Sequence, residues 1–82
     1  MNRAELRAAA QREGIRESSY SLDGGLPPEQ YVLAIAEGGW IVYYSERGQR
    51  SGETFFDTED EACSYLLLKL VGDPTTRRNA VP

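Results

Sequence analysis

Two short runs rich in β-branched and aromatic residues, Tyr31 to Ala36 and Trp40 to Ser45, are separated only by Glu37, Gly38 and Gly39. That spacing admits one arrangement, an antiparallel hairpin. A two-residue turn at Gly38 and Gly39 places Ile35 opposite Val42 and Leu33 opposite Tyr44. Successive side chains of a strand alternate, so Tyr31, Leu33, Ile35, Trp40, Val42 and Tyr44 share one face, the one expected to meet a core. The opposite face carries Val32, Ala34, Ala36, Ile41, Tyr43 and Ser45. This second face is too apolar to be ignored: the N-terminal helix or another chain covers it, or it stands as an apolar patch.

A chain of 82 residues supports one core rather than two, so the remaining segments must pack around this hairpin. Residues 3–13 read as a helix capped by Asn2, with Glu5 completing a capping box and Gly14 stopping it. Its apolar stripe is thin, with Leu6, Ala9 and Ala10 facing inward and Arg3, Arg7 and Arg12 facing water. Residues 19–22 form a short candidate strand that ends at Asp23, Gly24 and Gly25. Beyond Ser45, a strict two-residue turn at Arg47 and Gly48 would pair Val42 with Glu53 on the core side, so a longer loop is expected before a strand from Glu53 to Phe56. Thr58 and Glu61 form a second capping box, opening a helix that runs to about Val71 before Gly72 and Pro74. At 100° per residue, Ala62, Cys63, Leu66, Leu67 and Leu70 share the side that meets the sheet.

The expectation is therefore an α+β domain: a small antiparallel sheet of three to four strands flanked by an N-terminal and a C-terminal helix, in the order α-β-β-β-β-α, with both helices on one face. Residues 1–72 form the single domain and 73–82 a flexible C-terminal tail.

Catalytic chemistry finds little support. The chain has no histidine, which removes the usual general base, the usual partner of a nucleophile and the commonest metal ligand. Cys63 is the only cysteine and sits on the inward side of a helix, where a thiol behaves as a small hydrophobe. Glu37, Glu46, Glu53 and Asp57 stand at strand ends and loops, and their ordinary reading is solvated charge. The glycine doublets lack the spacing of a nucleotide loop. The expectation is a non-enzyme with no cofactor and no metal.

Charge narrows the partners. With 9 Lys and Arg against 13 Asp and Glu, the net charge is -4, which repels nucleic acid and attracts a protein with a basic surface. A lone cysteine, and the lack of a secretory apolar run or a membrane-spanning segment, point to the cytoplasm.

The stretch Gly39, Trp40, Ile41, Val42, Tyr43, Tyr44, Ser45, Glu46, Arg47, Gly48, followed by Phe55 through Cys63, resembles the small immunity proteins of bacterial polymorphic toxin systems. The resemblance covers roughly residues 20–72. It implies a protein that binds one cognate toxin domain, with a nuclease as a candidate activity of that toxin, and neutralises it. The alternative is a small homo-oligomeric structural or regulatory domain that self-associates through the open hairpin face or through Tyr65 and Leu68. For a toxin with a basic site, Glu37, Glu46, Glu53 and Asp57 are the candidate partner-binding charges. Tyr43, on the outer hairpin face, is the candidate anchor among them.

Overall fold

The computed structural model describes residues 1–77, so the part of the expected tail from 78 onward lies outside the described residues. The elements are α1 (Arg3–Arg12), a 3-10 turn (Glu17–Ser19), β1 (Tyr20–Ser21), β2 (Gln30–Ala36), β3 (Gly39–Glu46), β4 (Gln49–Phe56), α2 (Glu59–Gly72) and a second 3-10 turn (Pro74–Thr76). The four strands make one sheet in the order β1-β2-β3-β4. This is the expected α+β class and element order. The sheet is mixed, however: β1 runs parallel to β2, with Tyr20 beside Tyr31 and Ser21 beside Val32.

Parallel neighbours cannot be joined by a tight turn, so the chain must travel back between them. It does so across the outer face of the sheet. Gly24 first extends the edge of β2 by donating to the Leu33 carbonyl at 3.0 Å. The Tyr43 hydroxyl then donates to the Gly25 carbonyl at 2.6 Å. Under this loop Val32, Ile41 and Tyr43 form a small second cluster with Ala34 and Ala36. The outer face is thus covered by the chain's own β1–β2 connection and not by α1.

The hairpin turn is Glu37–Gly38, not Gly38–Gly39, because Ala36 pairs with Gly39 and Leu33 with Val42. Each pairing differs from expectation by two residues, and a shift of two leaves every side chain on its assigned face. Gly39 is needed inside the ladder: a Cβ there would lie 2.3 Å from the Phe56 carbonyl oxygen. Its role is close approach to β4 rather than turning.

The next connection also corrects the sequence reading. Arg47 and Gly48, at φ 54° and 75°, form a two-residue turn, with Glu46 paired to Gln49. Both positive φ values suit the right-handed twist of a tight hairpin. The unfavourable Val42–Glu53 pairing is avoided by a bulge. Tyr44 pairs with Ser51 but Val42 pairs with Thr54, so Gly52 and Glu53 together oppose Tyr43. Gly52, at φ +64°, supplies the backbone this needs.

Both helices lie on the inner face. Leu6 and Ala10 from α1, and Ala62, Cys63, Leu66 and Leu70 from α2, close over Leu33 and Val42. The Asn2 capping box forms as expected; at α2 the Thr58 hydroxyl accepts from the Glu61 backbone N–H, but it donates to the Glu61 carboxylate itself, so the expected second box is only half-formed. Trp40 is only half-buried, with the Arg3 guanidinium 5.4 Å from its ring centre. Ile35, expected in the core, is 69% exposed. β1 is two residues long, so no strand lies beside β2 at that height.

Residues 73–77 belong to the domain rather than to a tail. Thr76 is buried, and its hydroxyl donates to the Leu70 carbonyl at 2.7 Å. Ser19 donates to the Thr76 carbonyl at 3.2 Å, Arg16 N–H does so at 2.8 Å, and Ile15 bridges to Arg77. These contacts are polar, which is why hydropathy did not reveal them.

The two glycines give a ranked expectation for urea unfolding. Gly39→Ala should destabilise by about 2 kcal/mol or more, since backbone must move to admit the Cβ. Gly52→Ala should lose only about 1–2 kcal/mol, the left-handed penalty for one residue. Equal midpoints for the two variants would contradict the close approach at Gly39.

Candidate functional site

The five sequence-selected residues do not form one cluster. Alternation along β4 puts Glu53 and Phe55 on the outer face, where Phe55 pairs with Ile41. Asp57 follows at the strand's end, its Cα beside Gly39 and hence next to the Glu37–Gly38 turn. Glu37, Glu53 and Asp57 are therefore distributed around the same part of the outer surface, all exposed. Glu46 is on the other face, at the far end of the eight-residue β3, roughly 23 Å along the strand from the Glu37–Gly38 turn and about 10 Å from the level of Glu53, which lies opposite Tyr43. It shares the inner face with Tyr44.

Tyr43 does lie on the outer face, but it is 1% exposed. Its hydroxyl is engaged by Gly25, and the Arg50 guanidinium stacks 4.3 Å from its ring centre. It closes the second cluster and has no surface to offer a partner, so its expected role as an anchor is withdrawn. Arg50 also pairs with Glu53 at 3.4 Å, which partly neutralises that carboxylate.

The residue that sequence reasoning missed is Phe55, 67% exposed in a strand that, among the described residues, is the edge of the sheet. Glu53 and Asp57 flank it, two residues away on either side. The available signal was Gly52, since an isolated glycine within a strand pattern often marks a bulge. Counted through that bulge, Phe55 faces outward and Phe56 inward. Phe56 packs on Tyr65, ring centres 5.0 Å apart.

A second feature lies at the other end. A cleft of about 390 Å³ opens between the β2–β3 ladder and the C-terminal 3-10 turn, lined among others by Tyr31, Tyr44, Glu29, Asp73 and Arg16. The Tyr31 and Tyr44 rings meet edge to face, with centres 5.0 Å apart and planes at 69°. The Tyr31 hydroxyl donates to Asp73 at 2.9 Å. Burial first, and the bond to ionised Asp73 second, push the Tyr31 hydroxyl up to about 12. Asp73 is held below its ordinary value, chiefly by the Thr75 hydroxyl and also by Tyr31. Cys63 is fully buried and burial pushes its thiol up, which suits packing rather than nucleophilic chemistry.

Comparison with family models, with curated proteins and with solved structures gives no match, so the reading of these surfaces rests on their own geometry and chemistry.

The Tyr31–Asp73 bond has a pH signature. The folded pKa of Tyr31 is raised, so its contribution is fully present below pH 10, the ordinary tyrosine value, and is lost as pH rises toward about 12. Tyr31→Phe should lower stability at neutral pH by about 1 kcal/mol, the net value of one hydrogen bond. It should also flatten the loss of stability between these pH values, followed by chemical denaturation, and remove one late-titrating phenolate from the ultraviolet titration. A variant with the wild-type alkaline profile would refute the assignment.

Proposed function

We propose that this domain is a non-enzymatic inhibitor: it binds a cognate toxin domain whose active surface is basic and neutralises it in the cytoplasm, as its resemblance to small immunity proteins implies. The observation that carries the reading is Phe55, a large exposed aromatic on an open edge strand, bracketed by Glu53 and Asp57. Interfaces concentrate their energy in such aromatic anchors, while surrounding charges guide association. A net charge of -4 supports attraction to a basic protein and argues against nucleic acid as the direct partner.

The alternative, self-association through the sheet, has less to support it. β4 is the obvious edge for strand pairing, but it contains a bulge and carries Arg50 and Glu53, devices that oppose edge-to-edge pairing. Leu68, 74% exposed on α2, is a single residue rather than a patch.

The test is co-expression with the product of the neighbouring open reading frame, which this reading expects to carry the toxin domain, reading growth and complex formation. A one-to-one complex and restored growth are expected. Phe55→Ala should weaken binding by about 2 kcal/mol, mainly through faster dissociation, with stability changed by no more than about 0.5 kcal/mol. Glu46→Gln with Asp57→Asn should slow association more at low salt than at high salt. Absence of any complex, together with a dimer that persists on dilution, would favour the self-association reading instead.

A further inference from the structure

Glu46 is separated from the other acidic candidates, and its neighbours give it a different role. It follows Tyr44 on the inner face, beside the cleft that holds Tyr31, Glu29 and Asp73. At about 390 Å³, the cleft is at the small end of the roughly 300–1,000 Å³ of ligand pockets, with room for one long side chain. Two half-buried tyrosine rings form a wall, and two carboxylates join them in the lining: Glu29, exposed on the β1–β2 loop, and Asp73, just past α2, which already accepts from Tyr31 and Thr75. Among the described residues Arg16 is the one basic residue of the lining, and its guanidinium is already engaged by the Thr75 carbonyl. Partial burial first, and then the charges of Glu29, Glu46 and Asp73, raise the Tyr44 hydroxyl above its ordinary value. Three carboxylates thus act on one point of the cleft.

Such a site disfavours anions. It suits a cation that can meet a carboxylate on one side and an aromatic face on the other. Among the described residues no group of three or more His, Cys, Asp or Glu is placed to hold a metal ion, so the cation is organic. A planar guanidinium matches both kinds of wall better than an ammonium, because it can fork onto a carboxylate while stacking on a ring. We propose that the Tyr31–Tyr44 cleft is a receptor for an arginine side chain of the partner protein. This deepens the preceding reading, since it rests on a partner with a basic surface, and it assigns a second contact on the face opposite Phe55.

The test does not need the toxin. The isotope-labelled chain is titrated with the capped tripeptide acetyl-Gly-Arg-Gly-amide and, separately, with acetyl-Gly-Gly-Gly-amide, following backbone resonances. The arginine peptide should shift Glu29, Tyr31, Tyr44 and Asp73 selectively, and the glycine peptide should not. Tyr44→Leu, which keeps an apolar side chain there, should weaken the arginine peptide about fivefold, the size of an exposed cation–π contact. Glu29→Gln, on an exposed loop, should weaken it as well and serves if the tyrosine variant fails to fold. Shifts spread evenly over Glu37 and Asp57, or wild-type affinity in a folded variant, would overturn the proposal. If the toxin complex forms while the peptide ignores the cleft, the arginine receptor fails and the inhibitor reading stands. If the peptide seats in the cleft and no toxin complex forms, the inhibitor reading fails and the receptor stands.

Discussion

One additional residue in β4 decides which way the second half of that strand faces. The tight turn at Arg47–Gly48 fixes the start of the β3–β4 ladder, with Glu46 opposite Gln49. Continued without interruption, this register would set Glu53 against Val42 in the core and turn Phe55 inward beside Trp40. A carboxylate buried there without a partner would carry a desolvation penalty of several kcal/mol. Opposing Gly52 and Glu53 together to Tyr43 removes the conflict and returns Thr54 and Phe56 to the inner side. Phe56 then completes the packing under α2 with Tyr65, and Phe55 is left outside. The core and the proposed contact surface follow from the same local irregularity.

The outer face is subject to a similar economy of material. A sheet with both helices on one side leaves its other side wet, yet Val32 and Ile41 here are almost completely buried. The parallel placement of β1 forces the chain to return across that side, so a short loop rather than a third helix provides the cover. Tyr43 links the two layers, with its hydroxyl on the loop and its ring under Arg50. What stays open is the β4 margin and its neighbouring acidic turns, a narrower surface than the whole hairpin face.

Much of this was legible because periodicity is robust. The hairpin faces were assigned correctly from a turn placed one residue too late, since the pairing error was two and strand alternation has period two. Leu6, Ala9 and Ala10, and Ala62, Cys63, Leu66 and Leu70, were legible from helical spacing and from the N-caps Asn2 and Thr58. Three features were not. The bulge has no hydropathy signature, only Gly52. The exposure of Ile35 depends on β1 being too short to flank it, and strand length is poorly encoded. The packing of residues 73–77 runs through Asp73, Thr75 and Thr76, whose composition reads as tail and whose burial depends on specific hydrogen bonds to Leu70, Ser19 and Tyr31.

The two candidate surfaces differ in kind as well as in place. Around Phe55 an apolar ring is exposed with charges beside it, an arrangement in which the ring governs how long a complex lasts and the charges govern how often it forms. In the Tyr31–Tyr44 cleft the rings and carboxylates converge on one volume, so they select the chemistry of a single side chain. Phe55, opposite Ile41, is on the outer face and the cleft, at Tyr44, on the inner, separated along β3 by roughly 10 Å. At such distances, and with no shared neighbours, the energetic effects of changing each should add. A compact rigid partner resting on the β4 margin reaches only the first. A partner using both must send an extended basic segment around the Arg47–Gly48 end of the sheet, and additive losses in binding from Phe55 and Tyr44 are the mark of that wrapped geometry.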